Sequence, residues 1–194
     1  MKRKIIDLLI EWKDNVINQK ERKPILLTGT KGVGKTFLAY DFAKSFFKHI
    51  TYLNFEQDKS LSTSLLRYFS SKKEEPLHNN RILILDEILS SAEMVSSILH
   101  LQASGAFPYI LAISSSPIPK EHRQRFQTLP IYPMEFDEFL IATGNEWYIE
   151  VIMNHFNSDK KIPDIVHKEL LTLFHLYLQI GGMPAAINEY INMS

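Results

Sequence analysis

The eight residues Gly29-Thr30-Lys31-Gly32-Val33-Gly34-Lys35-Thr36 restrict this chain more than any other stretch. An apolar run, Ile25-Leu26-Leu27, precedes them, and residues 37–48 after them read as a helix. A strand, a glycine loop, a Lys-Thr pair and a helix are the parts of a phosphate-binding loop. Glycines let the backbone turn its N–H groups inward around a phosphate, with no Cβ in the way. The helix that starts there adds its unpaired N–H groups and the positive end of its dipole. Lys35 can then reach the β- and γ-phosphates, and the Thr36 hydroxyl becomes a ligand of Mg²⁺. The expected nucleotide contacts are Gly29, Thr30, Lys31, Gly32, Val33, Gly34, Lys35, Thr36 and Phe37. The plain alternative is a glycine-rich turn that happens to contain Lys-Thr.

The chain has 194 residues, enough for one sizeable core with a small appended subdomain. Its 22 Lys and Arg balance 22 Asp and Glu, so there is no global electrostatic pull towards nucleic acid. With no cysteine, disulfides and thiolate metal sites are excluded, which fits a reducing cytoplasm. Seven histidines are scattered without metal-ligand spacing. The basic start Met1-Lys2-Arg3-Lys4 is followed by apolar residues, but Asp7, Glu11, Lys13 and Asp14 interrupt them. Neither a signal peptide nor a membrane span is expected, and the reading is a soluble cytoplasmic protein without a membrane partner.

Along the chain, Ile5, Leu8, Leu9, Trp12, Val16 and Ile17 recur at helical spacing and predict an amphipathic helix over 4–19. It is either a packing helix or a wall for the nucleotide base. Residues 51–55 alternate as a strand, and 60–70 read as a helix. The polar run 71–80 is the longest loop candidate and is expected to be mobile. Next, Ile82-Leu83-Ile84-Leu85 leads into Asp86-Glu87, a strand buried on both faces with its acids at the C-terminal edge. Ligands of open α/β sheets bind at that edge. Asp86 can therefore hold the magnesium ion, directly or through water, while Glu87 orients a water for attack on the γ-phosphate.

Serines 90 and 91 offer an N-cap for a helix to about 101. A fourth strand over 108–113 ends at Ser114-Ser115-Ser116, and 129–132 read as a fifth. Helical spacing then takes over at 138–142, 146–156, 164–180 and 185–191, with Gly181-Gly182 and Pro184 between the last two.

Strands alternating with helices predict an α/β fold: a three-layer α/β/α P-loop NTPase with a five-stranded, mainly parallel sheet. The extra strand between the phosphate loop and Asp86-Glu87 favours the additional-strand class, order 5-1-4-3-2. The expected domains are an ATPase core over 1–136 and a small helical lid over 137–194. An Asn-Lys-x-Asp guanine-reading motif is absent, as is a Leu-Ser-Gly-Gly transporter signature.

Together these motifs resemble the AAA-type P-loop ATPases of bacteria and archaea, many of which carry a further C-terminal domain. The phosphate loop and Leu85-Asp86-Glu87 match Walker A and Walker B. Ser114-Ser115-Ser116 resembles the serine-rich end of that group's sensor strand. Arg125, then Leu129, Tyr132-Pro133-Met134-Glu135-Phe136 and Glu138-Phe139, is similar to its arginine and the L-x-P-L-S-F-x-E-F segment that follows. Gly181-Gly182-Met183-Pro184 resembles its G-G-x-P signature. The chain departs from the pattern at Ala112-Ile113, Gln124 and Glu135, where Thr-Gly, glycine and serine are usual. The resemblance covers nearly the whole chain and implies an N-terminal ATPase module.

The reading is a chain that binds ATP with Mg²⁺ and hydrolyses it. Lys35 positions phosphate, Thr36 and Asp86 organise the metal, and Glu87 orients the water. Ser114 or Ser115 would contact the γ-phosphate or that water. Arg125, or Arg123, would act as an arginine finger, leaving a homo-oligomer or another protein open as partner. Glu56 is a surface acid or faces the magnesium shell. The alternatives are a nucleotide-gated interaction switch with negligible turnover and, less favoured, a P-loop kinase.

Overall fold

The computed structural model describes residues 3–16, 23–58, 65–70, 80–88 and 91–193. Residues 71–79 of the loop expected over 71–80, the first turn of the helix expected from 60, residues 17–19 of the helix expected over 4–19, and Ser90 lie outside these residues. Five strands run Ile25–Thr28 (β1), His49–Asn54 (β2), Arg81–Asp86 (β3), Tyr109–Ser114 (β4) and Gln127–Pro130 (β5). They form one sheet in the order β2-β3-β4-β1-β5, with every pairing parallel. That is the expected 5-1-4-3-2 order, with the serine-ended β4 between the strands that carry the phosphate loop and Asp86.

Helices cover both faces, which is why β3 and β4 read as unbroken apolar runs. All six residues of β4 are buried. On one face Leu83, Leu85, Ile110 and Ala112 pack with Met94, Val95, Ile98 and Leu101 of the helix Ala92–Ala103 (α4). Ser91 caps that helix by accepting the Met94 N–H. Leu65 of the short helix Leu65–Ser70 (α3) joins the same cluster. On the other face lie the helices Ile5–Val16 (α1) and Lys35–Phe46 (α2). Trp12 of α1 meets Tyr109 edge-on with ring centroids 5.8 Å apart, and Phe42 of α2 at 6.4 Å. Its indole N–H donates to the Lys23 carbonyl. Trp12 is 2% exposed, so α1 is a packing helix here.

Two elements differ from expectation. The fifth strand spans 127–130 rather than 129–132, because it pairs only with β1, whose last residue Thr28 stands opposite Pro130. A one-turn helix, Lys120–Arg123 (α5), follows the Pro117 and Pro119 breaks. It is too short to leave a periodic signal.

The chain divides into two compact units, one of them Ile5–Ile131. The other joins residues up to Lys4 with Tyr132 onward. It contains the helices Phe136–Ala142 (α6), Trp147–Asn157 (α7), Asp164–Ile180 (α8) and Pro184–Met193 (α9). Within this unit the two segments that resemble family signatures meet each other. The Met134 N–H donates to the Gly182 carbonyl at 2.7 Å, and a Cβ on Gly182 would lie 2.4 Å from the Met134 oxygen. Only glycine permits that approach. Glu138, 4% exposed, accepts from Arg3 Nε, from the Lys4 N–H and from the Glu135 N–H at the start of α6. Phe139 is fully buried beside Met134 and Ile187. Among the described residues no single helix is long and apolar enough to cross a membrane.

Candidate functional site

The phosphate loop leaves β1 at Gly29, whose φ is 151°. A Cβ there would stand 2.3 Å from the Ile131 carbonyl oxygen, so the close passage of the β5 exit requires glycine. Val33 is fully buried and ties the middle of the loop to the core. Gly34 occupies the N-cap of α2 with φ 89° and offers no side-chain cap, so the first turn of that helix is open to an anion. Gly32, Gly34, Lys31, Thr36 and Phe37 line a cavity of about 350 Å³ at this end of the sheet. Phe37 is 64% exposed at its mouth.

Lys35 is 4% exposed, and its ammonium donates to the Gly29 carbonyl (2.9 Å), the Thr30 carbonyl (3.0 Å) and Ser115 Oγ (2.8 Å). An ammonium has three donors, so the side chain is saturated by its own loop and by β4's exit. Burial lowers its pKa, against the charges of Glu87 and Asp86, which raise it.

Asp86 ends β3 at 2% exposure. Its Oδ2 accepts from Thr36 Oγ1 at 2.9 Å and from the Tyr52 hydroxyl at 2.7 Å. Its Oδ1 is buried and has no hydrogen-bond partner. Burial raises the pKa of the Tyr52 phenol; Asn54, donating to it, lowers it, and Asp86 raises it further, leaving a protonated donor near neutral pH.

Glu87 sits one residue past the strand with φ 52°, a left-handed conformation that a residue with a Cβ adopts at a cost of about 1 kcal/mol or more. Continuing the strand would have pointed its carboxylate to the face opposite Asp86. The turn instead brings Glu87 to Ser115, whose N–H and hydroxyl donate to its two oxygens.

Of the two serines read from the sequence, Ser115 is therefore the one beside Lys35 and Glu87. Ser114 is 1% exposed and donates its hydroxyl to the Ser116 carbonyl, so it shapes the turn. Arg123 and Arg125 are exposed, and neither lines the cavity. Glu56 pairs with Lys31 at 2.7 Å across the cavity mouth, and both are exposed. Tyr52 and Asn54 are the site residues that sequence reasoning missed. Their only trace was alternation about the buried Leu53, which places both on one face without saying what lies beside it.

The AAA domain family matches residues 21–140 of the chain. An uncharacterised protein of Methanocaldococcus jannaschii is 29% identical over 202 residues, covering 94% of this chain and 42% of that protein. The large subunit of replication factor C from Methanococcus maripaludis is 37% identical over 81 residues, 41% of this chain and 17% of that subunit. The chain thus spans less than half the length of either relative. Among solved structures, PCH-2 of C. elegans superposes with a TM-score of 0.50 at 15% identity, over 77% of this chain and 46% of that one, a likeness of fold.

Proposed function

The chain belongs to the AAA domain family, and on that premise we propose that it binds ATP with Mg²⁺ and hydrolyses it to ADP and phosphate. The observation that carries this reading is the convergence of Lys35, Ser115 and Glu87 in one hydrogen-bonded chain beside the open start of α2. In this mechanism the loop amides and Lys35 hold the phosphates. Glu87 accepts a proton from a water as that water bonds to the γ-phosphorus and the bond to the ADP oxygen breaks. Ser115 aims Glu87 and links it to the lysine.

The donor set suits a hard, oxygen-seeking cation: the Thr36 hydroxyl and the partnerless Asp86 Oδ1 are both oxygens. Magnesium bound there supplies neutralisation of charge developing on the β- and γ-phosphate oxygens. Arg123 and Arg125, free of the cavity, are the residues proposed to neutralise transition-state charge, in this chain or in a neighbouring copy.

The test is equilibrium binding of ATP to the purified chain and to Lys35→Ala, with phosphate release measured in parallel. Binding is expected to vanish in the variant, and unchanged affinity would overturn the site assignment. A second reading, a nucleotide-gated interaction module with negligible turnover, is favoured by the way Ser115 occupies both Glu87 oxygens. Phosphate release measured across protein concentration separates the two. Release that steepens with concentration indicates arginines supplied by a second copy, and none at any concentration favours the switch.

A further inference from the structure

The carboxylate of Asp86 is loaded on one side only. Oδ2 accepts from Thr36 Oγ1 (2.9 Å), Tyr52 OH (2.7 Å) and Asn54 Nδ2 (3.4 Å), while Oδ1, which is buried, accepts from nothing. Thr36 reaches Asp86 from the start of α2, next to the glycine loop; the other two donors, Tyr52 and Asn54, are not part of that loop or helix. They come from β2, and strand register explains their presence. Parallel pairing sets Asn54 opposite Asp86 and Tyr52 opposite Ile84, and residues two apart share a face. Both side chains therefore reach the acid from the neighbouring strand.

We propose that Tyr52 is a positioning residue for the metal: its hydroxyl fixes which oxygen of Asp86 is spent on the protein and which is left for Mg²⁺ or its water. This inference rests on the reading of the cavity as an ATP–Mg²⁺ site. The phenol is well placed for such a role because its own orientation is determined on three sides. It donates to Asp86, accepts from Asn54 Nδ2 at 3.2 Å, and its ring meets Tyr40 of α2 edge-on with centroids 6.3 Å apart. The terminal torsion of an aspartate is broad and roughly two-fold, so packing alone does not choose between its oxygens. A strong donor on one oxygen does. With the phenol gone, Thr36 is the one short donor remaining, and Thr36 is also the residue that has to turn its lone pair to the metal.

The experiment is Mg²⁺-dependent binding of a fluorescent, slowly hydrolysed ATP analogue to wild type and Tyr52→Phe, begun in EDTA and titrated with Mg²⁺. Removing such an outer partner typically weakens metal affinity by about 10–100-fold, so the Mg²⁺ midpoint of Tyr52→Phe should rise by about tenfold. Affinity in EDTA should stay at the wild-type value. An unchanged midpoint overturns the role of Tyr52 and leaves the ATP–Mg²⁺ reading intact. A variant that also loses affinity in EDTA marks Tyr52 as a purely structural residue, which overturns the proposal equally. If wild type itself shows no response to Mg²⁺, the reading of the site fails, and the inference with it.

Discussion

Ser115 holds both oxygens of Glu87: its hydroxyl donates to Oε1 and its backbone N–H donates to Oε2 at 3.1 Å. The same hydroxyl accepts from Lys35 at 2.8 Å. The turn after β4 thus couples Lys35, the residue proposed to grip phosphate, to Glu87, the acid proposed to orient water. Glu87 reaches that turn only because its backbone takes a left-handed φ of 52°.

Three substitutions separate the roles. Glu87→Gln is expected to keep ATP affinity and lose turnover by about a hundredfold or more, the range for a positioned general base. Ser115→Ala should lower turnover by about ten- to a hundredfold, since a hydrogen bond to a charged group contributes about 1.5–3 kcal/mol. Ser114→Ala should leave turnover near wild type and lower stability by about 1 kcal/mol. Phosphate release under saturating ATP measures the first two effects, and urea denaturation the third. If Ser114→Ala and Ser115→Ala exchange these effects, the geometry at the end of β4 has been misread.

Gly29→Ala would place a methyl group 2.3 Å from the Ile131 carbonyl. Backbone on both sides must shift, so a loss of about 2–4 kcal/mol is expected, together with weakened nucleotide binding. A urea midpoint that falls with an unchanged slope would show the stability effect directly. Wild-type midpoint and affinity together would contradict the close approach.

Trp12→Ala empties a fully packed position between Tyr109 and Phe42 and removes the bond to the Lys23 carbonyl. Truncations of this kind cost about 3–5 kcal/mol. Thermal unfolding should show a lower midpoint whether or not nucleotide is present. A loss of ATP affinity with no loss of stability would instead make α1 a wall of the base pocket.

Glu138→Ala leaves Arg3, 12% exposed at its side chain, without the carboxylate it pairs with, and leaves the Glu135 N–H at the start of α6 uncapped. Removing one partner of a buried pair costs about 3–5 kcal/mol, and here the acid also serves as a cap. Glu138→Gln keeps acceptor capacity and should recover part of that loss in the same denaturation experiment. Equal damage from both would show that charge, not hydrogen bonding, is what the position supplies.

Much of the fold was legible because it is written in short-range pattern. β3 and β4 appeared as apolar runs since helices cover both of their faces, and α8 was read with the bounds 164–180 that it has in the structure. β5 was displaced by two residues at each end because its limits are set by β1, a strand distant in sequence. α5 carries one turn, less than a period needs to show itself. In the site, the loop, Lys35, Thr36 and Asp86 were legible from spacing alone. Tyr52 was invisible for that purpose, because nothing local connects it to Asp86.

By itself, then, the sequence determined the chemistry available at the sheet's C-terminal edge: a glycine loop that can wrap phosphate, a lysine, a hydroxyl and two acids. These follow from residue type and from periods of two and 3.6, which are local properties of the chain. Tertiary structure decided which serine meets Glu87, which oxygen of Asp86 stays without a partner, and why Gly29 admits no side chain. Each of those depends on parallel register or close passage between segments joined by long crossovers. That register is set by packing the whole sheet between its helices, and no single window of sequence contains it.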